Sequence, residues 1–75
     1  MNSKELESNL TAVDIPKESY SLSGGLFNEV YCLGQAGAQW EVYYSERGNK
    51  TSLKIFLNEE DACQYFYRWV TSSLG

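Results

Sequence analysis

Leu6, Leu10 and Val13 repeat at spacings of four and three, the stripe of an amphipathic helix, and predict helix over residues 3–13. Ser3 is the expected N-cap, and Glu5 suits the positive first turn. Ile15-Pro16 ends the element, because a residue before proline is pushed out of the helical region. "KESYSLSGGL" follows as a connection, with a short extended piece at residues 20–22 and a change of direction at Gly24-Gly25. The rhythm then turns to runs of β-formers, predicting strands over residues 28–33, 38–46 and 50–57. Helical spacing returns over residues 59–73, where Ala62, Cys63, Phe66, Trp69 and Val70 form the apolar stripe. Asn58 is its expected N-cap, Glu59, Glu60 and Asp61 complement its positive end, and Leu57 is placed to staple onto Ala62. The order α-β-β-β-α gives an α+β fold as one domain over residues 1–75. Its expected form is a three-stranded antiparallel sheet packed by the C-terminal helix, with the N-terminal helix joining that helix.

Register follows from the turns. Gly48-Asn49 suits a two-residue hairpin loop, which sets Tyr44 opposite Leu53, Tyr43 opposite Lys54, Val42 opposite Ile55 and Trp40 opposite Leu57. One face then carries Trp40, Val42, Tyr44, Leu53, Ile55 and Leu57, all apolar or aromatic, and a one-residue slip would break the match. In the first hairpin a three-residue loop, Gln35-Ala36-Gly37, places Cys32 opposite Trp40 and Val30 opposite Val42 on that buried face. A four-residue loop would instead bury Tyr31 and Leu33 and turn Val30 and Cys32 outward. The shorter loop is preferred because the longer one faces Glu29 toward Val42. Trp40 and Tyr44 are thus expected in the core. Tyr43 is expected on the opposite, open face with Glu29, Tyr31, Leu33, Glu41, Lys54 and Phe56. Mixed aromatics and charges of this kind compose many protein-contact surfaces. The plainer alternatives are cross-strand stabilisation, as between Tyr43 and Lys54, or cover by the N-terminal helix or residues 20–26.

Length limits what this core can be. Seventy-five residues bury only about 60% of their unfolded surface, yet 43% of the chain is hydrophobic, including six tyrosines, three phenylalanines and two tryptophans. The net charge of −4 argues against general nucleic-acid affinity and suits a basic protein partner or simple solubility. "MNSKELESNL" has no apolar segment of the kind that directs secretion, and no run is long enough to span a membrane. The expected location is therefore the cytoplasm, with Cys32 and Cys63 reduced and both packed in the core.

Candidate chemistry is sparse. Two cysteines without a histidine do not make a zinc site, and no base stands ready for a Ser or Cys nucleophile. Glu59, Glu60 and Asp61 are accounted for by the helix dipole. The expectation is no enzyme, no metal and no cofactor. A partner-binding role falls instead to Tyr31, Glu41, Tyr43 and Lys54 on the open sheet face, and to Glu46 and Arg47 at the tip of "SERGNK". The rival expectations are a homodimer through the same aromatic face and a nucleic-acid module stacking bases on its tyrosines. The element order resembles the double-stranded RNA-binding domain in topology. However, "NEEDACQ" stands where such domains carry lysines toward phosphate, so RNA binding is not expected.

The stretches "YSLSGGLFNEVYCLG", "WEVYYSERGNKTSL" and "FLNEEDACQYFYRW" together resemble the small immunity proteins that bacteria encode beside polymorphic or contact-dependent toxins. The resemblance implies a short, acidic, cytosolic protein that binds and neutralises a cognate toxin, often a nuclease or deaminase, by occluding its active site.

Overall fold

A computed structural model describes residues 1–74 of the chain. Helix α1 spans Ser3–Ala12 and ends a single 3-10 turn short of the sheet, at Lys17–Ser19. Strands follow at Tyr20–Ser21 (β1), Val30–Ala36 (β2), Gln39–Glu46 (β3) and Asn49–Phe56 (β4), and helix α2 closes the fold at Glu59–Leu74. The α+β class holds, but the sheet has four strands in the order β1-β2-β3-β4 and is mixed, not three-stranded and antiparallel. The added strand is the extended piece after the 3-10 turn. It runs parallel to β2, with Tyr20 beside Tyr31 and Ser21 beside Cys32. Two residues are too few to display a period, so only the pairing reveals them as a strand.

Both helices are capped by asparagine. Asn2, not Ser3, caps α1: the Glu5 amide donates to Asn2 Oδ1 at 2.8 Å, and the Asn2 amide donates back to Glu5 Oε1 at 3.1 Å. The Ser3 amide is used elsewhere, donating to Glu59 Oε2 of α2 at 3.0 Å and so tying the two helix starts together. At α2 the Asp61 amide donates to Asn58 Oδ1 at 2.8 Å, as expected. Helix α2 packs across β2, β3 and β4, and α1 packs on α2. Leu6, Leu10, Ile15, Leu33, Val42, Ala62, Cys63, Phe66 and Val70 make the core between them, with Tyr20 at its edge.

The registers differ from those expected, with a physical cause in each hairpin. The β2–β3 loop is the two-residue turn Gly37-Ala38, which pairs Leu33 with Val42, Cys32 with Tyr43 and Tyr31 with Tyr44. Tyr31 and Leu33 therefore face α2, while Cys32 lies on the other side of the sheet from Cys63. The objection to this parity was Glu29, but the strand begins only at Val30, so Glu29 never meets Val42. In the β3–β4 hairpin the turn is Arg47-Gly48, with φ of 51° and 79°. Positive φ at both central residues is the demand of a type I′ turn, whose twist matches the strands. Ser52, at φ 56°, is then an extra residue in β4, and the register shifts between Val42 and Tyr44. Val42 faces Lys54, Glu41 faces Ile55 and Trp40 faces Phe56. This one bulge reverses the parity of the rest of β4. Leu53, Ile55 and Leu57, expected in the core, are exposed, and Leu57 does not staple onto α2.

Candidate protein-contact surface

Residues 22–29 position the site. They join two parallel neighbours, β1 and β2, so the connection must leave the plane of the sheet. It passes over the face opposite α2. The Tyr43 hydroxyl donates to the Gly25 carbonyl at 2.6 Å, Ser45 Oγ donates to the Phe27 carbonyl, and the Gly24 amide donates to the Leu33 carbonyl at 3.0 Å. The approach is close because Gly34 has no side chain: a Cβ there would lie 3.2 Å from Gly24 Cα. Gly24 and Gly25 take φ of 73° and 105°, a region L side chains seldom adopt. Asn28 Oδ1 then accepts the Arg47 amide at 3.2 Å, which ties the connection to the β3–β4 tip.

The residues expected to bind a partner are distributed by this arrangement over both faces. Tyr43 is only 1% exposed beneath the connection, and burial pushes its phenol up to about 12, with Cys32 beside it acting in the same direction. Glu41 shares its face and is held by the Lys50 ammonium, whose Nζ also stands 4.7 Å from the Tyr43 ring centroid. Tyr31 lies on the α2 face, half-buried, edge-on to Trp69 at 4.8 Å and to Tyr44 at 4.9 Å. Lys54 is exposed on that same face at the position opposite Val42. Glu46 and Arg47 are together and exposed at the tip. The six residues are therefore not one patch: Glu41 and Tyr43 sit behind the connection, Tyr31 and Lys54 beside α2, and Glu46 and Arg47 at the end.

Large apolar side chains stand open on the face opposite α2. Leu26 and Phe27 of the connection are 60% and 51% exposed, and Leu53 and Ile55 of β4 are 45% and 49% exposed. The connection is bonded to Tyr43 and Ser45 of β3, and Leu53 and Ile55 lie on β4, the next strand, with Ile55 opposite Glu41 on this face. Sequence assigned Leu53 and Ile55 to the core and singled out neither Leu26 nor Phe27. The exception in the "TSLKIFL" run is Ser52, and nothing local marks a serine as a bulge. Charges share this side of the sheet. Glu46 and Arg47 stand at the tip, and the Glu41–Lys50 pair crosses the face over the Tyr43 ring. Glu29, exposed at φ 58°, is a carboxylate on strained backbone at the same end. Glu29 and Glu46 also lie close enough to Tyr44 to help burial raise its phenol. Exposed apolar side chains mixed with charged ones are the composition of many protein interfaces.

Cys32 and Cys63 are free and buried. Burial raises both thiols, Cys63 to about 11 with Glu59 adding to the effect, so neither is a thiolate near neutral pH. Among the described residues no group of three His, Cys, Asp or Glu side chains is placed to hold a metal ion, and no helix is long and apolar enough to cross a membrane. No known protein family, curated protein or solved structure matches this chain.

Proposed function

We propose that this domain is a non-catalytic protein-binding module, most concretely a cytoplasmic immunity protein that binds and neutralises a cognate bacterial toxin. The observation that carries the reading is the set of four large apolar side chains, Leu26, Phe27, Leu53 and Ile55, exposed on the side of the sheet opposite α2. A small domain gains no stability from side chains left in water. Several large apolar groups exposed on one side of a small domain mark an interaction site more often than chance. The net charge of −4, with Glu29 and Glu46 at the tip, favours a basic partner. Charge matching of that kind raises the association rate and disfavours wrong partners. Neutralisation would be steric: the apolar face anchors, and Glu46 and Arg47 fix orientation over the toxin's active site.

The test is protection. Each open reading frame flanking this gene is expressed in a naive host, alone and with this protein. Growth arrest by one flanking product, relieved by the wild type and not by Leu53→Asp/Phe27→Ser, is the expected result. If no flanking product is toxic, or none is relieved, the immunity reading fails. A homodimer through the same apolar face would appear as a concentration-dependent mass that Leu53→Asp abolishes.

A further inference from the structure

The sheet has two free edges, and they are built differently. On β4 the exposed edge carries Lys50 and Lys54 and is bent by the Ser52 bulge, the devices by which edge strands repel further strands. The β1 edge has neither a lysine nor a bulge, and is blunted only by its two-residue length. Beside it opens a cleft of about 610 Å³ between α1 and the β1–β2 connection, within the size range of ligand sites. One part of its lining is apolar, from Leu22, Phe27 and Val30. The other is charged, with Glu7 and Glu18 against the single ammonium of Lys17. We infer that this cleft receives an extended segment of a partner protein that adds beside β1, with basic side chains toward Glu7 and Glu18 and apolar ones toward Leu22, Phe27 and Val30.

The chemistry follows from what a strand edge offers. Among the described residues no strand bonds the main-chain groups on the outer side of β1, and an extended peptide supplies the complementary donors and acceptors. Successive side chains of such a segment point to opposite sides, which suits an apolar wall on one side and carboxylates on the other. The charge selects the segment, since two carboxylates outnumber one ammonium and the whole chain is acidic. Phe27 both lines this cleft and is half-exposed beside Leu26, so a partner seated on the connection reaches the cleft through it. The inference rests on the protein-binding reading and adds to it the form and charge of what is bound.

The probe is an end-blocked octapeptide of alternating lysine and valine, titrated into the isotope-labelled protein and followed by amide chemical shifts. An alternating glutamate–valine octapeptide is the control. The lysine peptide should move amides over residues 17–23 and 27–30. Its affinity should fall about tenfold in Glu7→Lys/Glu18→Lys, a double reversal of exposed charges that leaves the fold intact, and also at high salt. Glu18→Lys alone should give a smaller loss in the same direction. Equal binding of the glutamate peptide, shifts confined to β4, or no shifts at millimolar peptide would each overturn the inference. The protection assay separates the two proposals. A toxin still neutralised while the peptide ignores the cleft removes the cleft and keeps the binding function. Peptide bound in the cleft with no flanking product neutralised keeps the cleft and removes the toxin.

Discussion

Tyr43 shows how one side chain reports its surroundings. Sequence placed its ring on an open face; in the fold it is sealed beneath residues 24–27, with its hydroxyl spent on the Gly25 carbonyl. A buried phenol resists ionisation, which is why its value rises from 10.0 to about 12, as burial raises Cys63 from 9.0 to about 11. Both groups are neutral when protonated and hold their protons longer in the folded state. Their contribution to stability is complete below about pH 9 and is lost as pH rises toward 12. Thermal melts across that range should show Tm falling steeply above pH 9. Tyr43→Phe should flatten the upper part of the fall while costing about 1 kcal/mol at neutral pH for the lost hydrogen bond. Tyr20 predicts the opposite sign. Its buried hydroxyl has no hydrogen-bond partner among the described residues, so Tyr20→Phe removes an uncompensated polar group. Urea midpoints should show it as stable as the wild type or more so, by up to about 1 kcal/mol. A loss of more than that would mean the hydroxyl is satisfied in solution.

At the scale of elements, the helices were legible and the hairpins were not. The Asn58 cap, the acidic first turn of α2 and the stripe of Ala62, Cys63, Phe66 and Val70 are local, so the helix bounds came within a residue or so of those found, while the α1 cap fell on Asn2 instead of Ser3. A hairpin's register depends on which dipeptide turns and on whether a residue is inserted. "ERGNK" offers two plausible turns, and the insertion at Ser52 leaves no trace in composition. The connection over the sheet is the element most dependent on a single atom. Gly34→Ala places a methyl 3.2 Å from Gly24 Cα, a backbone atom that cannot swing aside. The expected cost is about 1–3 kcal/mol. Faster hydrogen exchange at residues 22–29 with an unchanged α2 would locate that loss in the connection.

For the whole molecule, burial decides what a substitution does, and the two hairpin registers make opposite predictions. Leu33 is fully buried under α2, whereas Leu53 is nearly half in water. Leu33→Ala should cost about 2–5 kcal/mol. Leu53→Thr should stay within about 1 kcal/mol of the wild type while weakening partner binding. Denaturant midpoints of the two variants suffice; equal losses would mean that β4 presents Leu53 to the core after all. The aromatic residues divide on the same principle. Tyr31, Tyr44, Tyr65, Phe56 and Trp69 form a linked series of ring contacts at the edge of the α2–sheet interface, with centroids 4.8–6.1 Å apart. Such pairs add stability beyond area alone, which accounts for three of the six tyrosines without a partner.

The amino-acid order by itself determined the helices, three of the strands, the α+β class and the mild acidity, because each rests on periodicity, capping or charge within a few residues. Tertiary structure alone decided that β1 is a strand, that the connection shuts over Tyr43, and that Leu53 and Ile55 face water. The physical reason is the two-residue period of a strand. A single inserted residue exchanges its inner and outer sets, and only the packed neighbours on each face determine which set is buried.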